Sequence, residues 1–119
     1  MKSEVKQRAY FFSVEIIRYI EEETQHKKIN YAMTDQLIRA ATSIGANIVE
    51  AKSSSSKKEF IRYFEISLKS ANETKYWLCL FRDALKCSKE NTEILIKEAD
   101  EISKMLAGSL LTMKGKKEF

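Results

Sequence analysis

The sequence predicts an all-α protein: a single domain folded as an antiparallel, up-and-down four-helix bundle. Three observations carry this. Of the 119 residues none is proline and three are glycine (Gly45, Gly108 and Gly115), too few breakers for the tight turns of a sandwich or barrel. Hydrophobic residues make up 44% and charged residues 32%, enough apolar surface for a core and too much for a disordered tail. Finally, apolar residues recur at three- and four-residue steps in four separate segments joined by short or moderate connections.

The first helix is expected over residues 3–24, with Ser3 as its N-cap. Val5, Ala9, Phe12, Ile16 and Ile20 share one face, while Tyr10, Val14 and Ile17 form a second apolar strip that calls for another neighbour. Residues 25–33, QHKKINYAM, read as a loop, and Thr34 or Asp35 can cap the second helix over 35–51. Leu37, Ala41, Ile44, Ile48 and Ala51 form its core face. Gly45, costing about 1 kcal/mol relative to alanine, either admits a close neighbour among Ala40, Ala41 and Ala46 or is merely tolerated. The serine run 53–56 breaks the chain and recaps it, because Ser56 and Glu59 have capping-box spacing. The third helix, over 56–87, carries Phe60, Phe64, Ser67, Leu68, Ala71, Lys75 and Leu78 on its main face. Asn91 or Thr92 starts the fourth, over 92–113, with Leu95, Ala99, Ile102, Leu106, Leu110 and Met113 facing inward. The basic tail KGKKEF is expected to fray.

Twenty-one basic against 17 acidic residues give a net charge of +4, which permits an anionic partner without demanding one. Cys79 and Cys87, eight residues apart on one expected helix, are separated by about 12 Å of rise and read as free thiols of a reducing compartment. His26 is the only histidine, which argues against a zinc or di-metal site. With no spanning apolar run and no signal-peptide pattern, the expected location is the cytoplasm, without a membrane. No phosphate loop, HExxH or nucleophile elbow occurs, so neither an enzyme nor a cofactor is expected.

Three other patterns stand out. Gln36, Arg39, Ser43, Asn47 and Glu50 form a stripe beside the apolar face of the second helix. It is either a solvated polar face or a paired network, within the bundle or at a subunit contact, in which Arg39 or Asn47 meets Glu73 or Glu50. Ile66, Trp77, Leu80 and Phe81 form an extra strip on the third helix, suited either to subunit packing or to a second neighbour within the bundle. Lys52, Lys57, Lys58 and Arg62 surround the serine turn, and Lys114, Lys116 and Lys117 add charge from the tail. Arg18, Lys27 and Lys28 lie about the first loop. On a monomer such lysines are ordinarily solvated surface; repeated around an oligomer they become a multivalent anion-binding surface.

The stretches QLIRAATSIGANIVEA at 36–51 and KKEFIRYFEISLKSANETKYWL at 57–78 resemble the four-helix-bundle proteins linked to intervening sequences in bacterial 23S ribosomal RNA genes. Arg39, Ala40, Ser43, Ile44, Asn47, Ile48, Glu50, Phe60, Ala71 and Glu73 fall in register with that family's pattern. Ala51 stands where glycine is common, Ser67 where alanine is common, and the first loop lacks a frequent proline. The resemblance implies a homopentameric ring of antiparallel bundles. It also implies kinship with the accessory protein of diversity-generating retroelements, which binds nucleic acid and a reverse transcriptase, and it attaches no enzymatic activity. The leading expectation is therefore an oligomer that binds RNA or DNA through lysine and arginine. The alternative is a structural or adaptor oligomer with a protein partner.

Overall fold

Backbone donors at the head of each helix need acceptors, and the residues that supply them set the helix limits. The computed structural model describes residues 2–115 and contains α1 (Lys2–His26), α2 (Tyr31–Lys52), α3 (Lys57–Asp83) and α4 (Lys89–Met113), with no strand among them. Lys116 and Lys117 lie outside the described residues, whereas Lys114 and Gly115 of the same tail are described.

Three of the expected caps are corrected. Helix α1 already runs at Lys2, so Ser3 lies inside it. Helix α2 starts four residues before Asp35: Asn30 caps it, its Oδ1 accepting from the Ala32 N–H at 2.7 Å, while Thr34 is buried and donates to the Tyr31 carbonyl. Helix α4 is capped by Ser88, whose Oγ accepts from the Asn91 N–H at 3.2 Å, and Thr92 sits buried one turn in. The Ser56 cap of α3 holds, its Oγ accepting from the Glu59 N–H at 3.1 Å. The Glu59 carboxylate reaches back to the Ser55 N–H rather than to that of Ser56.

Helix α3 ends at Asp83, four residues earlier than its periodicity suggests. Lys86 adopts φ 58°, in the left-handed region, and the Cys87 N–H turns back to the Phe81 carbonyl. Lys27 stabilises this turn by donating from Nζ to the Leu85 and Lys86 carbonyls at 2.8 and 2.7 Å. Cys87 therefore leaves the helix that carries Cys79, and both are free thiols. Burial pushes the Cys87 thiol above its ordinary range.

Helix α1 packs on α2 and α4, α3 packs on the same two, and the backbones of the diagonal pairs stay apart. Phe12, Ile16, Leu37, Ile44, Ile48, Phe64, Phe81, Leu78, Ile102 and Leu106 are fully buried between them. Each contributes about 1.5–3 kcal/mol relative to exposure. Phe81 is thus a core residue packed near the Tyr19 ring, not part of an outward strip. It falls one turn beyond buried Leu78, on α3's inner face. Gly45 meets Ala9: a methyl added there would lie 3.6 Å from Ala9 Cβ, so this is where α1 and α2 approach closely. The second strip of α1 finds no neighbour, with Tyr10 63% and Ile17 42% exposed and Val14 half-buried.

Polar groups join the helices at fixed registers. Ser67 donates to the Ile44 carbonyl at 2.8 Å, and Arg8 pairs with Glu98 at 2.7 Å. Lys75 pairs with Asp100 at 2.9 Å, and Lys114 with Glu65 at 2.7 Å.

Candidate nucleic-acid interface

The turn between α2 and α3 gathers cations at one end of the bundle. Ser53 closes α2 by donating its N–H to the carbonyls of Val49 and Glu50, and Ser54 Oγ donates to the Ala51 carbonyl at 2.6 Å. These bonds fold the serine run tightly, so that exposed Lys52 and Lys57 flank it directly. Lys57 and Lys58 occupy the first turn of α3 and Arg62 the second, all exposed. The side chains of these three make no hydrogen bond or ion pair with any described residue. Cations at a helix N-terminus oppose the helix dipole, so local helix stability does not account for Lys57 and Lys58. Lys114, just beyond α4, is at the same end but engaged by Glu65.

The cations near the first loop are not gathered in this way. Arg18 lies 3.9 Å from Glu15, and Lys27 is spent on the α3–α4 turn.

Two members of the polar stripe, Ser43 and Asn47, meet α3 at the α2–α3 seam through Ser70. Ser43 Oγ accepts from Ser70 Oγ at 3.0 Å and from Asn47 Nδ2 at 2.9 Å, and Asn47 also donates to the Ser43 carbonyl. Ser70 was not singled out by the sequence, because a serine at a helix interface has no spacing signature. Within one chain Arg39 pairs with Asp35 at 3.7 Å, and Glu73 accepts from Trp77 Nε1 at 3.2 Å. Neither joins the other, while Gln36 and Glu50 are exposed. Trp77 packs partly against the core, and Ile66 and Leu80 are half-buried.

Outward apolar side chains also line the groove between α1 and α4. Phe11 and Ile94 are each 61% exposed across the α1–α4 groove, whose rim holds Glu15, Glu98 and Glu101 with Arg8 and Lys97. Among the described residues no three His, Cys, Asp or Glu side chains converge as metal ligands, and no helix is long and apolar enough to cross a membrane.

Comparison with known proteins adds a lineage to this geometry. The family model described as 23S rRNA-intervening sequence protein matches residues 1–108. A solved structure is also similar: a protein of unknown function from the S23 ribosomal protein family of Bacteroides thetaiotaomicron. It shares 35% identity over 89% of this chain and 97% of that one, with a TM-score of 0.82. No curated protein matches.

Proposed function

The chain belongs to the 23S rRNA-intervening sequence protein family, and we propose on that premise that it is a non-catalytic bundle whose copies associate and whose basic end holds nucleic acid. The observation that carries this reading is the grouping of Lys57, Lys58 and Arg62 at one end with no carboxylate partner among the described residues. Such a cluster contacts phosphates and releases their counterions without reading sequence. The pairs Lys75–Asp100 and Glu65–Lys114 run in opposite order along α3 and α4, in keeping with an antiparallel up-and-down bundle.

Self-association is supported by the uncovered outer face of α1, where Tyr10, Phe11 and Ile17 stand in solvent. A helix apolar on both faces is ordinarily covered on both. A ring of copies, five by family likeness, repeats the basic end and raises its effective affinity.

The test is a titration of labelled structured RNA and of duplex DNA at about 50 and about 200 mM salt, with solution mass measured in parallel. About four phosphate contacts per copy give roughly a hundredfold loss of affinity between the two. Flat salt dependence, or no binding at low salt, contradicts the reading. The adaptor reading has its own observation, the α1–α4 groove with exposed Phe11 and Ile94, whose rim of three carboxylates and two cations lacks the positive excess of the basic end. A protein retained after nuclease treatment, with no direct nucleic-acid binding, favours it.

A further inference from the structure

We propose that the basic end receives an unpaired nucleotide: a base enters the apolar groove beside Phe60, and its phosphates lie on the adjoining lysines. This rests on the nucleic-acid reading and narrows it to single strands.

Two depressions open at this end. One, of about 340 Å³, lies between α3 and α4 and is lined by Phe60, Phe64, Met105, Gly108 and Met113, with Lys104 at its edge. The other, of about 480 Å³, is lined by Lys52, Lys57 and the serines 54–56. Phe60 and Met113 line both, so the two are halves of one groove, apolar on one side and cationic on the other.

The apolar half has the shape and chemistry of a stacking site. The Phe60 ring lies 4.8 Å from that of buried Phe64, 25° from parallel, so a fixed aromatic platform backs the half-buried ring. Across from it a Cβ added to Gly108 would meet nothing within 4 Å. A mid-helix glycine costs about 1 kcal/mol relative to alanine, and no close packing here requires it; what it does is keep the groove wide. The two methionines adapt to flat ligands of differing outline.

An aromatic platform beside cations is how single strands are held: bases stack on the ring and phosphates meet the charge. A duplex keeps its bases inside and offers only phosphates. Glu50 and Glu59 are the exposed carboxylates beside the serine turn, and Lys52, Lys57, Lys58 and Arg62 outnumber them there. The others near the groove are engaged, Asp100 by Lys75 and Lys104 and Glu65 by Lys114.

The experiment uses the full chain with three labelled probes at low salt: a short oligothymidylate, its duplex with oligodeoxyadenylate, and an abasic strand of the same length. The single strand should bind at least about tenfold tighter than the abasic strand, the equivalent of one stacked base. Gly108→Leu, which fills the apolar half, and Phe60→Leu should each abolish that advantage while leaving duplex and abasic binding unchanged, with circular dichroism reporting intact helices. Abasic binding equal to that of the single strand overturns the inference, as does a preference that survives Gly108→Leu. Binding to none of the probes defeats the nucleic-acid reading itself.

Discussion

Tyr19→Phe and Thr92→Val remove opposite ends of one buried hydrogen bond, and they should not cost the same. Tyr19 Oη lies 2.6 Å from Thr92 Oγ1, and both residues are buried. Thr92 has one hydroxyl proton, which it donates to the Ser88 carbonyl at 2.6 Å. Tyr19 is therefore the donor. In Tyr19→Phe the threonine keeps its own bond, and the loss is one neutral hydrogen bond, about 0.5–1.5 kcal/mol. In Thr92→Val a buried phenol proton loses its acceptor, which costs about 1–3 kcal/mol. The Cys87 thiol beside Tyr19 is a weak acceptor and puts the expected value in the lower half of that range. The Ser88 carbonyl is not orphaned, since the Thr92 N–H still donates to it. The double variant should cost less than the sum, with a coupling of about 1 kcal/mol. Urea unfolding at equal m-values measures all three. Additive costs, or a Tyr19→Phe loss as large as that of Thr92→Val, refute the donor assignment. A pH signature accompanies it. Burial raises the Tyr19 phenol above its ordinary range, whereas the unfolded chain ionises near 10. The folded state thus holds the proton longer, so this stability is complete below about pH 10 and is lost as pH rises above it. Tyr19→Phe should flatten that part of the alkaline decline.

Gly45→Ala should stabilise the chain by about 0.5–1 kcal/mol in urea unfolding, because the new methyl would meet Ala9 at ordinary contact distance and the helix gains propensity; a lower midpoint contradicts the packing described. Tyr10→Ser combined with Ile17→Ser should lower the solution mass while circular dichroism stays helical, since both side chains are outside the core. An unchanged oligomer would place the subunit contact on another face.

The four helices were legible because core residues such as Leu37, Ile44 and Ile48, or Leu95, Ile102 and Leu106, repeat every three, four or seven positions. Their ends were less so. The first turns YAM and KEN carry little apolar periodicity, and their caps, Asn30 and Ser88, lie upstream of the residues that begin the pattern. The end of α3 was hidden because Lys86 takes a positive φ usually left to glycine, clamped by Lys27 from just beyond the end of α1. At the candidate site the cations were visible as a cluster in the chain. The groove beside them was not, since Phe60 and Gly108 are brought together only by the pairing of α3 with α4. Phe81 falls beside Trp77 and Leu80 in the sequence pattern, but those two sit nearer the surface and one helical step turns Phe81 into the core.

The central claim is that Lys57, Lys58 and Arg62 hold phosphate, and the slope of log affinity against log salt tests it most directly. Replacing all three by glutamine should make the slope shallower by about 2.7 for duplex DNA or about 2.1 for a single strand, per bound copy. An unchanged slope, at any absolute affinity, would mean that the phosphates lie on another surface.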